Sequence, residues 1–322
     1  MVKATIETRF QFHSPSRTLR NGFLVQPVHW SDHPLHDETW ADRMAAKFGG
    51  RTSSGWMREY EMDPSAAGMP VWGMMARDVH LASIPWAEIV GPAWTRWRVL
   101  DHGIRHPTCC GWVAINSRGD QYWYRQYYAR DRTIAENCQA ILSMEAKEEF
   151  VSGTVADPAI HQRSAETKTR YWDVYARHGM PLVDAAKDQA GYDAVATSLV
   201  SSLCRWSLER GTIHPTLGAH LDRAVLEELA AEPALWFHPS CAGRVQSLYE
   251  ECANLRWAET RSDPLTHAQP EKPVDVNDEG ADVVRYGRHT KAVRWMAPAK
   301  PAAKDLLDRM MEEQSRSGDR FR

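Results

Sequence analysis

Five acidic residues stand at the positions in this sequence where carboxylate chemistry is easiest to build. Asp101 ends a predicted buried strand, and Asp157 ends the strand that follows the next predicted helix. Asp278, Glu279 and Asp282 share one short predicted helix, at spacings of three and four residues that place them on one face. Because sites in open α/β sheets gather at strand ends, we expect these acids to form one site.

Carboxylates held side by side repel one another unless they share a cation. Oxygen ligands without the Cys and His spacing of a zinc site favour Mg²⁺ or Mn²⁺. Two such ions about 4 Å apart would hold the attacking water and the leaving oxygen of a phosphodiester. Each acid also has a plainer interpretation, because Asp-Pro and Asn-Asp start ordinary turns and Asp278 fits a helix N-cap.

The middle of the chain contains the elements that would position these acids. WRVLDHG (97–103) predicts a buried strand, and 111–128 predicts a hairpin that turns at SRGD. The order strand, strand, strand, helix, strand, helix, strand, helix predicts a mixed β-sheet flanked by helices, an α/β fold. The other predicted elements are strands at 23–30, 150–158, 235–239 and 255–259, helices at 31–48, 133–148, 164–178, 191–209, 240–253, 277–291 and 302–316, and a loop at 262–276.

Composition bounds the class of protein. With 322 residues, 43% hydrophobic and 25% charged, the chain is typical of one substantial globular domain with extensions. The formal net charge of −3 gives no overall field for nucleic acid, so binding would need a local basic patch. The sequence has no membrane-length apolar run, no signal core and no CxxC pair among its six cysteines. We therefore expect a reduced cytoplasmic protein without structural zinc, and we place a thiol enzyme last among the alternatives.

The C-terminal segment is basic and begins where the acidic helix ends. From 285 to 322, basic residues outnumber acidic residues ten to five. A solvated tail explains this excess as well as a phosphate track for DNA does. The residues predicted to contact DNA are Arg285, Arg288, Lys291 and Arg294.

The first 94 residues read as an irregular flank rather than a self-sufficient domain. They show no hydrophobic pattern that would build a separate core, so we expect them to contact a partner. The candidate anchors for that contact are Trp30, Trp40, Trp56 and Trp72.

Several motifs, in this order, resemble the nuclease domain of phage terminase large subunits, the DNA-packaging enzymes. They are WRVLDHGIRHPTCCGWVAINSRGDQYWYRQYY, TIAENCQAI, VADPAI and NDEGADVVRYG, and they span about 95 to 290. VHWSDHPLHDETWADRMAAKFGG and WMREYEMD, upstream, resemble the stretch after the last ATPase motif of the same family. The Asp-His-Gly motif is fairly specific, NDEGADVVRYG moderately so, and Ala-Asp-Pro is weak.

The resemblance implies a ribonuclease H-like fold and two-metal cleavage of concatemeric DNA with Mg²⁺ or Mn²⁺. Carried over to this chain, the first acid is Asp101, the second Asp157 and the third Asp282, with Asp278 as the alternative third ligand. Asp101 would bridge the two ions. Many relatives have His at the position of Glu279, Leu at that of Val284, and an acid in the third strand, where this chain has Gln126. The possible outer shell is His102, Glu279 and Gln126.

No GxxxxGK[ST] run occurs, so we expect no ATPase activity from this chain. The polypeptide would then be the nuclease half of a split gene, a truncated protein or a prophage remnant. By the resemblance, its partners are double-stranded DNA, a P-loop ATPase motor subunit or domain, the small terminase subunit and the portal.

The predicted division is a flank at 1–94, a nuclease domain at 95–290 and a basic tail at 291–322. The alternatives are a resolvase or transposase of the same fold, and a catalytically inactive packaging or docking module.

Overall fold

The structure, a computed structural model, describes residues 17–18, 24–25, 28–61, 68–103, 106–163, 168–217, 221–258, 273–274 and 276–297. The helix predicted at 302–316 lies outside these residues, as does most of the loop predicted at 262–276. Among the helices of the described segments, none has the length and apolar character needed to cross a bilayer.

A six-stranded mixed sheet forms the centre of the protein. Its order is β7-β6-β3-β4-β5-β8, and only β4 runs antiparallel to the other strands. A separate two-stranded ribbon pairs β1 with β2. The strands are β1 (Arg17–Thr18), β2 (Leu24–Val25), β3 (Trp94–Asp101), β4 (Thr108–Asn116), β5 (Gln121–Ala129), β6 (Val151–Ala156), β7 (Leu182–Asp184) and β8 (Leu235–Phe237).

Ten α-helices in the described segments connect and cover these strands. Local signals explain several of their ends: Thr133 and Glu136 form a capping box before α5, and Gly211 ends α7 in the left-handed conformation at φ 67°. The helices are α1 (Glu38–Ala46), α2 (Ser54–Glu59), α3 (Arg77–His80), α4 (Trp86–Ile89), α5 (Ile134–Ser143), α6 (Tyr171–Arg177), α7 (Ala190–Arg210), α8 (Arg223–Ala230), α9 (Leu248–Asn254) and α10 (Glu279–His289).

The predicted α/β class is confirmed, and so is the hairpin at SRGD, which joins β4 to β5. The strand predicted at 255–259 was wrong, because Arg256 and Trp257 form only isolated bridges with Pro70 and Pro273. The single helix predicted at 240–253 is instead a 3-10 turn at Pro239–Cys241 followed by α9.

The two faces of the sheet bury separate apolar cores. Successive strand residues point to opposite faces. Val99 therefore packs with α7 and α10, whereas Leu100 packs with α5 and α6 on the other side. Asp101 is two residues beyond Val99, and Asp157 is two beyond Val155, which lies in the same core as Val99. Both acids consequently emerge on the face that α10 covers.

The N-terminal segment buries more of itself than the sequence predicted. Trp56 is fully buried in a small aromatic cluster built from α1 and α2, and Trp30 and Trp40 are half-buried against it. Trp72 is buried in the main core and donates from its indole nitrogen to the Tyr192 carbonyl. The prediction of four exposed anchors was therefore wrong for Trp56 and Trp72.

Candidate active site

Asp101 and Asp157 lie side by side because their strands are parallel neighbours. Leu100 pairs with Ala156, so the residue that follows each one sits at the same level of the sheet. The amide of Asp157 donates to the carbonyl of Leu100 at 3.3 Å. Adjacent strands are about 4.8 Å apart, which is close enough for two carboxylates to act on one ligand.

The first turn of α10 brings three more acids to the same edge of the sheet. Asn277 takes a left-handed conformation at φ 51°, which asparagine tolerates better than most residues, and this turns the chain into the helix. The Gly280 amide donates to Glu251 Oε2 at 2.5 Å and fixes the start of the helix from α9. Asp278, Glu279 and Asp282 thereby reach the ends of β3 and β6.

The acids surround one open cavity of about 330 Å³. The loops after β3 and β6 form one side, and the start of α10 forms the other. Its lining residues are Asp101, His102, Gly103, His106, Asp157, Ala159, Ile160, Gln162, Tyr171, Lys187, Asp278, Glu279 and Asp282.

Asp101 lies where an ionised carboxylate is disfavoured. Burial raises its pKa well above the ordinary value for aspartate, and the negative charges of Asp282 and Asp157 raise it further. With no cation nearby, Asp101 is therefore held in its uncharged form more readily than an exposed aspartate. A bound cation would reverse that preference, because it favours the ionised carboxylate.

Asp157 has the opposite balance. Burial opposes its ionisation, but hydrogen bonds from the Ala159 amide, Lys187 and Tyr286 outweigh that effect and lower its pKa. Lys187 Nζ lies 2.6 Å from Asp157 Oδ2. The Tyr286 hydroxyl lies 2.6 Å from the same oxygen and 2.9 Å from Asp282 Oδ2, so its single proton can serve either carboxylate.

Asp282 is further oriented from the side by Arg285. The guanidinium donates from Nε and Nη2 to Asp282 Oδ1, at 3.0 and 2.8 Å. Its carbon lies 4.7 Å from the ring centres of both Tyr192 and Tyr286. The third predicted acid is thus held rigidly in place, with the arginine behind it rather than in the cavity.

The donor set fits a hard divalent cation, because it consists of carboxylate oxygens around a buried Asp101. The present side-chain arrangement is not itself a coordination shell. Across the described residues, no three His, Cys, Asp or Glu side chains are close enough together to hold a metal ion. Lys187, Tyr286 and Arg285 bind oxygens of Asp157 and Asp282, so Lys187 would have to leave Asp157 for an ion to enter.

The predicted outer-shell residues have three different positions. His102 lines the cavity and shares a 3.0 Å hydrogen bond between Nδ1 and the Tyr175 hydroxyl, and burial lowers its pKa to about 4. Glu279 lies 3.3 Å from His106. Gln126 does not line the cavity; its amide bonds to the Ser240 carbonyl and the Leu248 amide.

Strand register explains why the outer-shell prediction was wrong for Gln126. Asp101 pairs with Cys109, which pairs with Tyr128, so Tyr128 is the third-strand residue level with the site. Gln126 is two residues back along the strand, or about 6.6 Å.

The predicted DNA contacts are also corrected in part. Arg285 is 4% exposed and paired with Asp282, and Arg288 is half-buried near the Gly119 carbonyl. Lys291 and Arg294 are exposed, but Met296 bonds to Thr95 at the start of β3. That end of the strand is about 20 Å from Asp101, so the chain beyond α10 has left the neighbourhood of the cavity by Met296.

Sequence reasoning missed Lys187 and Tyr286. Tyr286 follows Asp282 by four residues on one helix, a spacing that could have indicated contact. Lys187 follows β7, the parallel neighbour of β6, and the same strand-end rule that selected Asp157 would have found it. Glu251 had no comparable signal, since its role depends on how α9 packs against α10.

Comparison with known proteins supports the fold. No family model matches the sequence. No curated protein matches it either. The large terminase of a thermophilic bacteriophage, solved in complex with ADP, is similar in structure at 15% identity and a TM-score of 0.50, over 82% of this chain and 55% of that chain. The P22 large terminase nuclease domain aligns at 14% identity and a TM-score of 0.43, over 69% and 91%.

At such identities the likeness concerns the fold alone. The chain spans about half the length of the thermophilic phage terminase that it matches. Its mixed sheet, with β4 alone antiparallel and helices on both faces, is ribonuclease H-like, which confirms the fold that the resemblance implied.

Proposed function

We propose that this chain is a metal-dependent DNA endonuclease of the viral packaging terminase type. The observation that supports this most directly is the meeting of Asp101, Asp157 and the first turn of α10 around one cavity at a strand edge. These acids come from segments far apart in the chain and have no evident structural need to be close. Their repulsion makes the cluster costly unless a cation is part of its function.

The residues would act as positioned oxygen ligands. Asp101, Asp157 and Asp282 would together hold two Mg²⁺ or Mn²⁺ ions, with Asp278 as the alternative third ligand. Such ions would supply charge neutralisation and an activated water for phosphodiester hydrolysis. Tyr286 and Arg285 would orient Asp157 and Asp282 by hydrogen bonds.

His102 would contribute packing rather than charge. Its pKa of about 4 leaves the ring neutral at pH 7. Its contact with the Tyr175 hydroxyl fixes the loop that follows β3. Glu279, at the position where many relatives have His, would face the cavity through its pairing with His106.

The substrate would be concatemeric double-stranded DNA, cut with little sequence preference because phosphate contacts do not specify bases. The partners would be a P-loop ATPase motor, the small terminase subunit and the portal. The ATPase would have to lie outside this chain, since its sequence has no phosphate-binding glycine loop.

Plasmid nicking in Mg²⁺, Mn²⁺ or EDTA tests the proposal. We expect nicking by the wild type in Mn²⁺ and a loss of at least about a hundredfold in Asp101→Asn, because a metal ligand supplies several kcal/mol. Asp173→Asn, the same change at an exposed acid on α6, is the matched control and should cut normally. Activity that persists in Asp101→Asn would refute this site.

A docking module without catalytic activity is the second candidate. The Lys187 ion pair favours it, because that pair satisfies Asp157 without any metal. Wild-type protein that cuts no DNA in any divalent ion would support the docking module. A resolvase of the same fold would instead prefer branched DNA to linear and supercoiled DNA in the same assay.

A further inference from the structure

Two short segments beside the acidic cavity, 161–163 and 168–171, pair two arginines directly, and we call these described residues the hairpin. Arg163 and Arg170 face each other in an isolated antiparallel bridge. Next to them, the Tyr171 amide donates to the Gln162 carbonyl at 3.1 Å. Gln162 and Tyr171 both line the cavity. The backbones of the two arginines are therefore one residue, or about 3.3 Å of strand, away from residues of the cavity wall.

These like charges lack compensation in the described part of the chain. Like charges directly opposite on paired strands are destabilising. Arg163, Lys168 and Arg170 are all exposed, and none of their side chains forms an ion pair with another described residue. Asp184 is paired with His161 at 2.8 Å, and it forms no ion pair with these three cations. Within the described residues, the surface thus presents three cations and no acid bound to them.

We infer that Arg163, Lys168 and Arg170 bind the DNA backbone beside the cleavage site. This rests on the proposed function, and it moves the expected DNA contacts from the C-terminal segment to the hairpin after β6. Guanidinium groups bind phosphate oxygens in pairs, and a bound phosphate would remove the repulsion between the two arginines. A polymer backbone fits better than a free phosphate, because three exposed side chains cannot enclose a single small anion.

The electrostatics of the chain support this position. A net charge of −3 provides no general attraction for DNA, so a local cluster must supply it. Lys187, half-exposed on the cavity wall, adds a further positive charge there, which pairs with Asp157. The backbone of a duplex held on the hairpin would thus pass next to the carboxylates.

The test compares DNA affinity and its salt dependence between charge-matched variants. The wild-type chain, Arg163→Gln/Arg170→Gln and the control Arg118→Gln/Arg223→Gln are titrated against a short fluorescent duplex in Ca²⁺, over a salt series. The control removes two exposed arginines far from the hairpin, on the β4–β5 turn and on α8. A third variant, Lys291→Gln/Arg294→Gln, tests the C-terminal segment.

We expect the hairpin variant to bind about tenfold more weakly and to lose about 1.8 from the slope of log affinity against log salt, or about 0.9 for each phosphate contact. The control should match the wild type. Melting temperatures check that every variant is folded. Equal affinities for the hairpin variant and the wild type, or no DNA binding by the wild type, would overturn the inference, as would a loss confined to the third variant.

Plasmid nicking separates this inference from the proposed function. If the wild type binds DNA through the hairpin but never cuts it, the inference about DNA binding stands and the proposed nuclease activity is wrong. If the wild type cuts DNA and the hairpin variant binds DNA normally, only the inference about the hairpin is wrong.

Discussion

Asp101 would favour the binding of a divalent ion in the proposed site, whereas Lys187 would compete with it. Asp101 has a raised pKa, so it loses a proton in the unfolded chain at lower pH than in the folded one. As the pH rises above the ordinary aspartate value, this group therefore lowers the free energy of unfolding, and a cation bound in the proposed site would offset that loss. Lys187 already supplies a positive charge to Asp157 and has to be displaced before an ion can use the same oxygen.

Replacing Lys187 should strengthen metal binding. We expect Lys187→Met to bind Mn²⁺ about fivefold more tightly, because a half-exposed ion pair of this kind contributes up to about 1 kcal/mol. Calorimetric titration of Mn²⁺ measures the change without requiring activity. Lys147→Met, an exposed lysine beyond α5, is the control. Weaker binding in Lys187→Met would mean that the lysine supports the ion rather than competing with it.

The sequence predicted the positions of the individual acidic residues better than it predicted the packing around them. Asp101 and Asp157 could be placed because a strand end is visible in the sequence, and the cavity contains both, together with Asp278, Glu279 and Asp282. Arg285 and Arg288 could not be placed, because the sequence shows them only as part of a basic segment, whereas the packing of their helix on the sheet buries them. Gln126 was misjudged because register decides which residue of β5 is level with Asp101.

Among the elements, α10 determines the site because it lies directly on the sheet. A Cβ on Gly287 would come within 2.6 Å of the Trp123 ring and 3.1 Å of Val99. A Cβ on Gly111 of β4 would meet Val283 at 2.9 Å. The glycines therefore allow the helix to approach closely enough for its first turn to reach the ends of β3 and β6.

Gly287→Ala should lift α10 away from the sheet. We expect a loss of about 1–3 kcal/mol in the free energy of unfolding, since overpacking forces a shift of the backbone or of Trp123. Urea denaturation measures it, and Mn²⁺ titration should show weaker binding because Asp282 moves with the helix. Gly73→Ala is the control, because its Cβ would meet only Pro70 at an ordinary 3.9 Å. Equal stability of the two variants would contradict this account.

The contact of α3 with α7 predicts a pH dependence of stability. His80 is fully buried; its Nδ1 accepts from the Ala76 amide and its Nε2 donates to the Leu199 carbonyl. Burial lowers its pKa to about 4. Because the unfolded chain takes up this proton near pH 6.5, stability should be lost as the pH falls from about 6.5 toward about 4.

Urea unfolding at about pH 7 and about pH 5 tests this effect. His80 should account for a loss of about 2 kcal/mol between the two pH values, and His80→Gln should lack that part of the loss whatever its stability at neutral pH. An identical pH effect in both proteins would show that folding does not lower the pKa of His80.

At the scale of the whole molecule, the sequence predicted the class of fold but not the packing of the N-terminal segment. Alternating and apolar runs predict strands that belong to a sheet, and their order predicted its mixed character. The aromatic cluster around Trp56 was missed because α1 and α2 are short, and their apolar residues meet only after the chain turns at Gly49 and Gly50. Val71 and Met74, assigned to the flank, pack in the main core.

The buried cysteines give a prediction for the whole fold. All six are buried, and burial raises the pKa of each thiol. Labelling by a thiol reagent should therefore be slow in the native protein and reach six groups per chain after unfolding. Rapid labelling of one cysteine in the native protein would instead favour the alternative of a thiol-dependent enzyme.

Helix α10 also ties the two ends of the sheet together. Its first turn carries three of the acids, and shortly beyond its C-cap Met296 is fastened to the side chain of Thr95 by hydrogen bonds through both its amide and its carbonyl. A force applied to the chain after Ala297 would thus act first on these hydrogen bonds at the start of β3, before it acted on the carboxylates. We therefore expect a tether attached on that side to leave the acidic edge of the sheet undisturbed.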